Sequence, residues 1–277
     1  MAIRINTNVE SVFAQKHLAR TQRSLRSTME HLSSGLRLTR AADDAAGMGV
    51  SQKMRAHITS LKMAQRNAND GISLVQTAEG ALSETGDILA RMRELAVESS
   101  SEVLQATERA YLQTEFTALQ EEIERIADST EFNGLNLSNG TTTSVAVQVG
   151  IFNVAAEDRI SVVLQDSQTA TLGVNTTAID LGSAGDSQLS ITAIDTAIDS
   201  VNNSRSTYGS VQNRLTSALR NLENYTENLV ETESRIRDVD FAQATADMSR
   251  HQIFSQAGIS VLSQANSNPQ NALSLLQ

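Results

Sequence analysis

Apolar residues recur along this chain at helical spacing over most of its length, and the pattern reaches both ends. Ile5, Val9, Val12 and Phe13 lead into Leu18, Leu25, Met29, Leu32 and Leu36, the last five stepping by 7, 4, 3 and 4 residues. At the far end Phe241, Met248, Ile253, Ile259, Val261, Leu262, Leu273, Leu275 and Leu276 continue almost to the last residue. Chain ends are ordinarily polar and frayed. Two apolar ends need a partner, either each other or another copy of the molecule, and this points to an assembly subunit. The candidate association residues are Val12, Leu18, Leu25, Met29, Leu32 and Leu36 at one end, and Met248, Ile259, Leu262, Leu273, Leu275 and Leu276 at the other.

Between the ends the strongest element is 44–99, where Met54, Leu61, Ala68, Val75, Leu82, Leu89 and Ala96 recur every seven residues. The spacing predicts a helix of about 55 residues, roughly 80 Å long at 1.5 Å per residue. Asp43 or Asp44 can cap its start by accepting amide hydrogen bonds. Gly71, Gly80 and Gly86 each weaken it by up to about 1 kcal/mol relative to Ala. A second helix, about 104–128, places Leu112, Phe116, Leu119, Ile123 and Ile126 at spacings of 4, 3, 4 and 3.

The period then changes. Asn133-Gly134 and Asn139-Gly140 are turn dipeptides, Val145, Val147 and Val149 alternate, and Ile160, Val162 and Leu164 alternate again after a loop containing Glu157-Asp158. This predicts a small β-hairpin over about 145–164. Residues 166–187, rich in Ser, Thr, Gly and Asp, read as an exposed loop or tip. Helix returns over 188–235 with apolar residues 3 or 4 apart, from Ile191 through Val211 and Leu222 to Ile236, interrupted at Arg205 and Thr232. The expected fold is mainly α: a long antiparallel helical hairpin or coiled-coil bundle with a small β-hairpin region, its terminal helices paired. The expected domains are 1–43 with 236–277, and 44–235.

Composition sharpens this picture. The one proline, Pro269, leaves residues 1–268 without a residue barred from helix. Aromatics at 3 % and no tryptophan favour closely packed helices over a thick core. The net charge of −10 is uneven: residues 1–43 carry seven basic and three acidic side chains, and 44–235 carry 13 and 26. An acidic middle argues against a nucleic-acid partner. The basic amphipathic N-terminal stretch suits a membrane surface or an acidic partner helix, and the latter is favoured. No run approaches the 18 apolar residues of a membrane span, and the start lacks the apolar core of a cleaved signal peptide.

Little in the chain resembles reaction chemistry. There are no cysteines. His17, His31, His57 and His251 lie far apart and none has HExxH spacing, so no metal or cofactor is expected. Asp43 and Asp44 are adjacent, and adjacent helical residues do not face each other. Ser33-Ser34-Gly35 lacks the GxSxG elbow. The sequons at Asn136, Asn139, Asn175, Asn202 and Asn224 are short matches in an Asn/Ser/Thr-rich chain. Ser and Thr in 141–144 and 167–187 are available for O-linked sugar if exposed. An enzyme is not expected.

Longer motifs carry a specific resemblance. Ile5-Asn6-Thr7-Asn8, LSSGLR at 32–37, DDAAG at 43–47, RNANDGISLVQTAEGAL at 66–82, RMRELAVES at 91–99 and EFNGLNL at 131–137 occur in order. VQNRL at 211–215, SRIRDVDFA at 234–242, QAGISVLSQAN at 256–266 and the closing NPQNALSLLQ follow. The chain resembles a bacterial flagellin over nearly all of 1–139 and 188–277, a short form without the outer variable domains; Gln277 stands where arginine is common.

The resemblance implies an extracellular structural subunit that self-polymerises into the flagellar filament for swimming, exported unfolded by the flagellar type III apparatus. It implies that the chain ends form an inner helical domain, disordered in the free subunit. The implied partners are further copies of the chain, an export chaperone at the C-terminal segment, the filament cap and hook-associated junction proteins. A host Toll-like receptor is a further implied partner, with Arg91, Leu95 and Glu115 matching the family's contact positions. The alternative is a hook-associated junction protein, which shares the terminal helices but forms only a short ring. A hydrolase displayed on such a scaffold would need more room than 166–187 provides.

Overall fold

The first helix is set by its two boundary residues. Asn8 Oδ1 accepts a hydrogen bond from the Ser11 amide at 3.0 Å, and Gly35, at φ 71°, ends the helix in the left-handed region. Between them runs α1, Val9–Ser34. The N-terminal helix was expected to reach residue 43, but Gly35 turns the backbone and 35–44 form a loop. Asp43 Oδ2 closes that loop by accepting from the Thr39 amide (3.1 Å), the Thr39 hydroxyl (3.1 Å) and the Arg40 amide (2.9 Å). Asp44 is the cap of α2, Ala45–Ser99, accepting from the Ala46 and Gly47 amides at 3.0 and 2.9 Å. The computed structural model describes residues 7–175 and 181–274, with side chains of the last helix as far as residue 268.

Helix α3, Ala106–Ser129, starts where Glu108 accepts from the Gln105 amide at 2.9 Å. A minimal hairpin follows, β1 (Glu131–Phe132) with β2 (Leu135–Asn136), turned by Asn133 at φ 52° and Gly134 at φ 77°. Two successive positive φ angles are what a two-residue hairpin loop needs, and Asn-Gly supplies them at low cost. The expected larger hairpin is β3 (Ser144–Gln148) with β4 (Arg159–Val163), antiparallel, pairing Val145 with Val162 and Val147 with Ile160. A single helical turn, α4 (Ala155–Asp158), lies between its strands, and another, α5 (Thr169–Leu172), follows. The long helices α6 (Ala184–Arg237) and α7 (Phe241–Ser274) complete the described chain.

Two compact units result. One takes the chain as far as Ile58 and again from Glu227 onward; the other is Thr59–Thr226. The divisions expected at 43/44 and 235/236 fall near the loops at 35–44 and 238–240, whereas the units divide inside α2 and α6. Packing partners change along a continuous helix without any break in sequence pattern.

Within Thr59–Thr226, α2 and α6 run antiparallel. Gln65 meets Thr226 at 3.1 Å, Glu79 meets Arg205 at 3.1 Å, Arg93 meets Asp195 at 2.6 Å, and Ser99 meets Ser187 at 3.1 Å. Arg205, where the apolar spacing is interrupted, is thus an ion-pair position. Leu82, Leu89 and Met92 of α2 join Phe116 and Ile123 of α3 and Ile194, Val201, Tyr208 and Leu215 of α6 in one core. The buried Tyr208 hydroxyl accepts from the Gln165 amide at 3.1 Å. The β3–β4 hairpin rests on α2 at Gly71, where a Cβ would lie 3.0 Å from a Val147 methyl.

Of the segment read as an exposed tip, 166–187, residues 176–180 lie outside the described residues, and the rest is anchored to α3 rather than free. Ser167, Val174, Leu181 and Ser187 are buried. Glu124 of α3 accepts from the Thr169 amide and hydroxyl at 3.1 and 2.9 Å, Gln120 donates to the Val174 carbonyl at 2.7 Å, and Gln113 accepts from the Leu181 amide at 2.8 Å. Small polar residues lie flat against α3 because its side chains satisfy their backbone groups. Helix α6 starts at Ala184 rather than at 188.

Two outcomes follow for the free subunit. Gly71→Leu should lower unfolding stability by about 1–3 kcal/mol through overpacking against Val147. Gly80→Ala, where an added Cβ meets nothing within 4 Å, should raise it by up to about 1 kcal/mol; denaturant titration reads both. The Asp43 carboxyl is held below its ordinary value, chiefly by the Arg40 amide, against some desolvation and with help from the Thr39 amide and hydroxyl. A lowered folded value means the closed loop is favoured above the ordinary carboxylate pKa and loses that advantage as pH falls through the lowered one. Protection of the Thr39 and Arg40 amides should therefore fall in acid, and Asp43→Asn should abolish this pH dependence in amide exchange.

Candidate assembly surface

Helices α1 and α7 pack antiparallel along their length. Asn8 Nδ2 donates to the Ala265 carbonyl and Ser11 Oγ to Asn266 Oδ1, both at 2.8 Å. At the other end Leu36 bridges to Asp238, the Arg37 amide donates to the Arg237 carbonyl at 2.7 Å, and the Val239 amide donates to the Gly35 carbonyl at 3.0 Å. Arg37 Nη2 adds a bond to the Ile236 carbonyl at 2.6 Å. The expected pairing of the terminal helices is present.

The residues shielded along this pair keep heptad spacing on both helices. On α1 they are Ser11, Ala14, Leu18, Thr21, Leu25, Thr28 and Leu32; on α7 they are Ala244, Met248, His251, Ser255, Gly258, Leu262 and Ala265. Most are small or hydroxyl-bearing. Gly258 permits close approach, since a Cβ there would lie 3.2 Å from Leu18 Cδ1. Of these fourteen positions only Ser11, Ala244 and Ala265 are fully buried.

Leu18, Leu25, Leu32, Met248 and Leu262 lie in this seam, but other large apolar side chains lie outside it. Val12, Phe13, Phe241, Ile253, Phe254, Ile259 and Val261 are each between 53 % and 63 % exposed. A helix pair that carries large apolar residues on its outward face as well as in its seam leaves apolar surface uncovered, and contiguous exposed apolar surface marks an association site. Among the candidates from sequence, Leu18, Leu25, Leu32, Leu36, Met248 and Leu262 are half-buried, whereas Val12, Met29 and Ile259 face out. Leu275, Leu276 and the Leu273 side chain lie outside the described residues. Phe13, Phe241, Ile253, Phe254 and Val261 belong to the outward face but were not among the sequence candidates. Their signal was present: each falls off the 3–4 seam and therefore cannot face the partner helix.

Arg91 and Glu115 meet across α2 and α3 at 2.7 Å, and Arg91 also reaches Glu94 at 2.8 Å. The hydrogen bonds that Arg91 donates to Glu94, then to Glu115, raise its pKa above the ordinary value. Leu95 is 1 % exposed and belongs to the core. It offers no surface from outside the folded unit, so the structure places only two of these three residues within a partner's reach. Among the described residues no cluster of His, Asp or Glu could hold a metal ion, and no helix is long and apolar enough to cross a membrane.

Comparison with known proteins places this geometry in context. The chain matches the bacterial flagellin N-terminal helical region over residues 5–143 and the bacterial flagellin C-terminal helical region over 191–276. It is 44 % identical to a flagellin of Halalkalibacterium halodurans, with 99 % of each chain covered. It is 40 % identical to a flagellin of Bacillus subtilis, covering 99 % of this chain and 100 % of that one. The crystal structure of Bacillus cereus flagellin superposes with a TM-score of 0.50 at 33 % identity, over 57 % of this chain and 88 % of the other. A Vibrio parahaemolyticus protein described as flagellar hook-associated gives a TM-score of 0.60 over 71 % of this chain and 100 % of its own. At 13 % identity that likeness concerns the fold alone.

Proposed function

The chain belongs to the bacterial flagellin family, and on that premise we propose that the outward apolar faces of α1 and α7 join one copy to the next. It is a structural subunit, not an enzyme, and it self-polymerises into the extracellular flagellar filament; swimming motility and type III export go with the family. The observation that carries the assignment of surfaces is the set of large apolar side chains left exposed on the outward face of the α1–α7 pair. Burying one large apolar side chain contributes roughly 1.5–3 kcal/mol, and this is available to the outward face only when neighbouring copies cover it. Because such a contact joins different patches head to tail and does not close into a ring, the product is an open helical filament.

The sparse burial between α1 and α7 supports a second reading: the ends gain most of their order at assembly, and the entropy lost then holds free subunits apart until a growing end is present. An export chaperone on the C-terminal segment would cover Ile253, Phe254, Ile259 and Val261 before that step. A cap and hook-associated junction proteins would cover the faces that an open polymer leaves bare at its two ends. For a host Toll-like receptor, the exposed Arg91 and Glu115 are the contacts, with Leu95 supporting α2 from beneath.

Removal of residues 270–277, or Ile253→Asp in the full chain, should leave unfolding of the 59–226 unit unchanged and abolish seeded polymerisation. Normal filaments from either variant in electron micrographs would sink the assignment. Arg91→Ala should lower receptor activation by the free subunit about tenfold with no loss of stability. Leu95→Ala should instead destabilise the fold by about 2–5 kcal/mol, so a receptor assay alongside calorimetry separates contact from support.

A further inference from the structure

Along α1 the face turned away from α7 changes character. Val9, Val12 and Phe13 open it, and Lys16, Arg20 and Arg23 continue it at spacings of four and three, with Arg26 beside them. All four basic side chains are exposed, and none forms an ion pair among the described residues. Arg23 Nε reaches only the Ala19 carbonyl of its own helix, at 3.4 Å. Like charges at these spacings repel and weaken an isolated helix. In a chain of net charge −10 such a stripe calls for an acidic counterpart. Nearby acids are already engaged: Glu30 pairs with Arg40 at 2.6 Å, and Asp247 with Arg250 at 3.1 Å.

The counterpart lies on α6. Glu223, Glu227 and Glu231 recur every four residues, all exposed, with the exposed Val230 among them. Glu223 and Glu227 pair with no cation among the described residues, and Glu231 meets only Arg235 of its own helix. At 1.5 Å rise per residue the acids stand about 6 Å apart along the axis, and the basic row steps by about 6 and 4.5 Å. The two rows are opposite in sign and close in pitch.

We propose that the Lys16–Arg20–Arg23 stripe of α1 in one copy docks on the Glu223–Glu227–Glu231 stripe of α6 in a second copy. This rests on the filament reading above and names a polar component of its subunit contact. The occupant is a second copy because both rows belong to this chain yet do not pair within it. The basic stripe also continues the outward face of Val12 and Phe13, and Val230 gives that face an apolar neighbour on α6. The apolar contact supplies adhesion, and the charge rows fix register and speed encounter.

The test is elongation of the full chain on wild-type seeds, reading critical concentration across a range of salt. Arg20→Glu and Glu227→Arg should each raise the critical concentration about tenfold, and the double variant should recover to within about threefold of wild type. Wild-type elongation should slow as salt rises. Unfolding of each variant, followed by circular dichroism, verifies that the fold is retained. Single variants that elongate like wild type, or a double variant no better than the worse single one, would overturn the docking while leaving the filament reading intact. A wild-type chain that fails to elongate at any salt would overturn the filament reading itself.

Discussion

Two helices share only one mutual face, and what occupies that face decides what the rest of this molecule must do. In α1 and α7 it holds Leu18, Leu25 and Leu32 among Ser11, Ala14, Thr21 and Thr28 on one side, and Met248 and Leu262 among Ala244, Ser255, Gly258 and Ala265 on the other. The small side chains let backbones approach closely but remove little apolar area from water, and area removed is what stabilises a packed pair. Other large side chains, Phe13, Ile253, Phe254 and Val261 among them, are left on the outside. The unit they belong to is complete in its secondary structure and incomplete in its burial.

The unit Thr59–Thr226 shows the contrast. There the α2 heptads meet α6, α3 closes a side, the β3–β4 hairpin covers Gly71, and 166–175 with 181–187 lie against α3. Its largest side chains, Tyr208, Phe116 and the leucines of α2, are fully buried within one copy. Such a unit folds on its own contacts. The two units differ in this respect: one buries its largest side chains within a single copy, and the other leaves large apolar side chains exposed. This suits a subunit that persists as a single chain and then polymerises.

Much of the helical architecture was legible because long periodic segments advertise themselves. The seven-residue recurrence from Met54 to Ala96 gave α2 its bounds within a residue, Asn133-Gly134 gave its turn, and alternating valines gave β3. The failures have one origin, since composition reports solubility in water and not the partners a backbone will find. Ser167 to Ser187 reads as exposed because hydroxyl and amide groups are usually hydrated, yet Glu124, Gln120 and Gln113 offer hydrogen bonds in place of water. Leu95 reads as a contact residue because its position matches a family motif; it lies one position off the seven-residue row that ends at Ala96, and only the packing shows it to be core. At the chain ends the leucines were read as the joining surface; Phe13, Ile253 and Phe254, which the period excludes from the seam, are the more exposed apolar residues there.

On the proposed assignment, the ends can be both paired and assembly-competent because the two faces differ. Had Phe13, Ile253 and Phe254 also occupied the seam, less apolar surface would remain to be covered when copies meet. The seam holds the helices in register through its leucines and a few directed bonds, such as Asn8 to Ala265 and Ser11 to Asn266, and the proposal reserves the burial of the outer face for neighbours. Leu18 against Gly258 marks a close approach of the two helices, since a Cβ at Gly258 would lie 3.2 Å from Leu18 Cδ1, and contacts of this kind limit how near the axes can come.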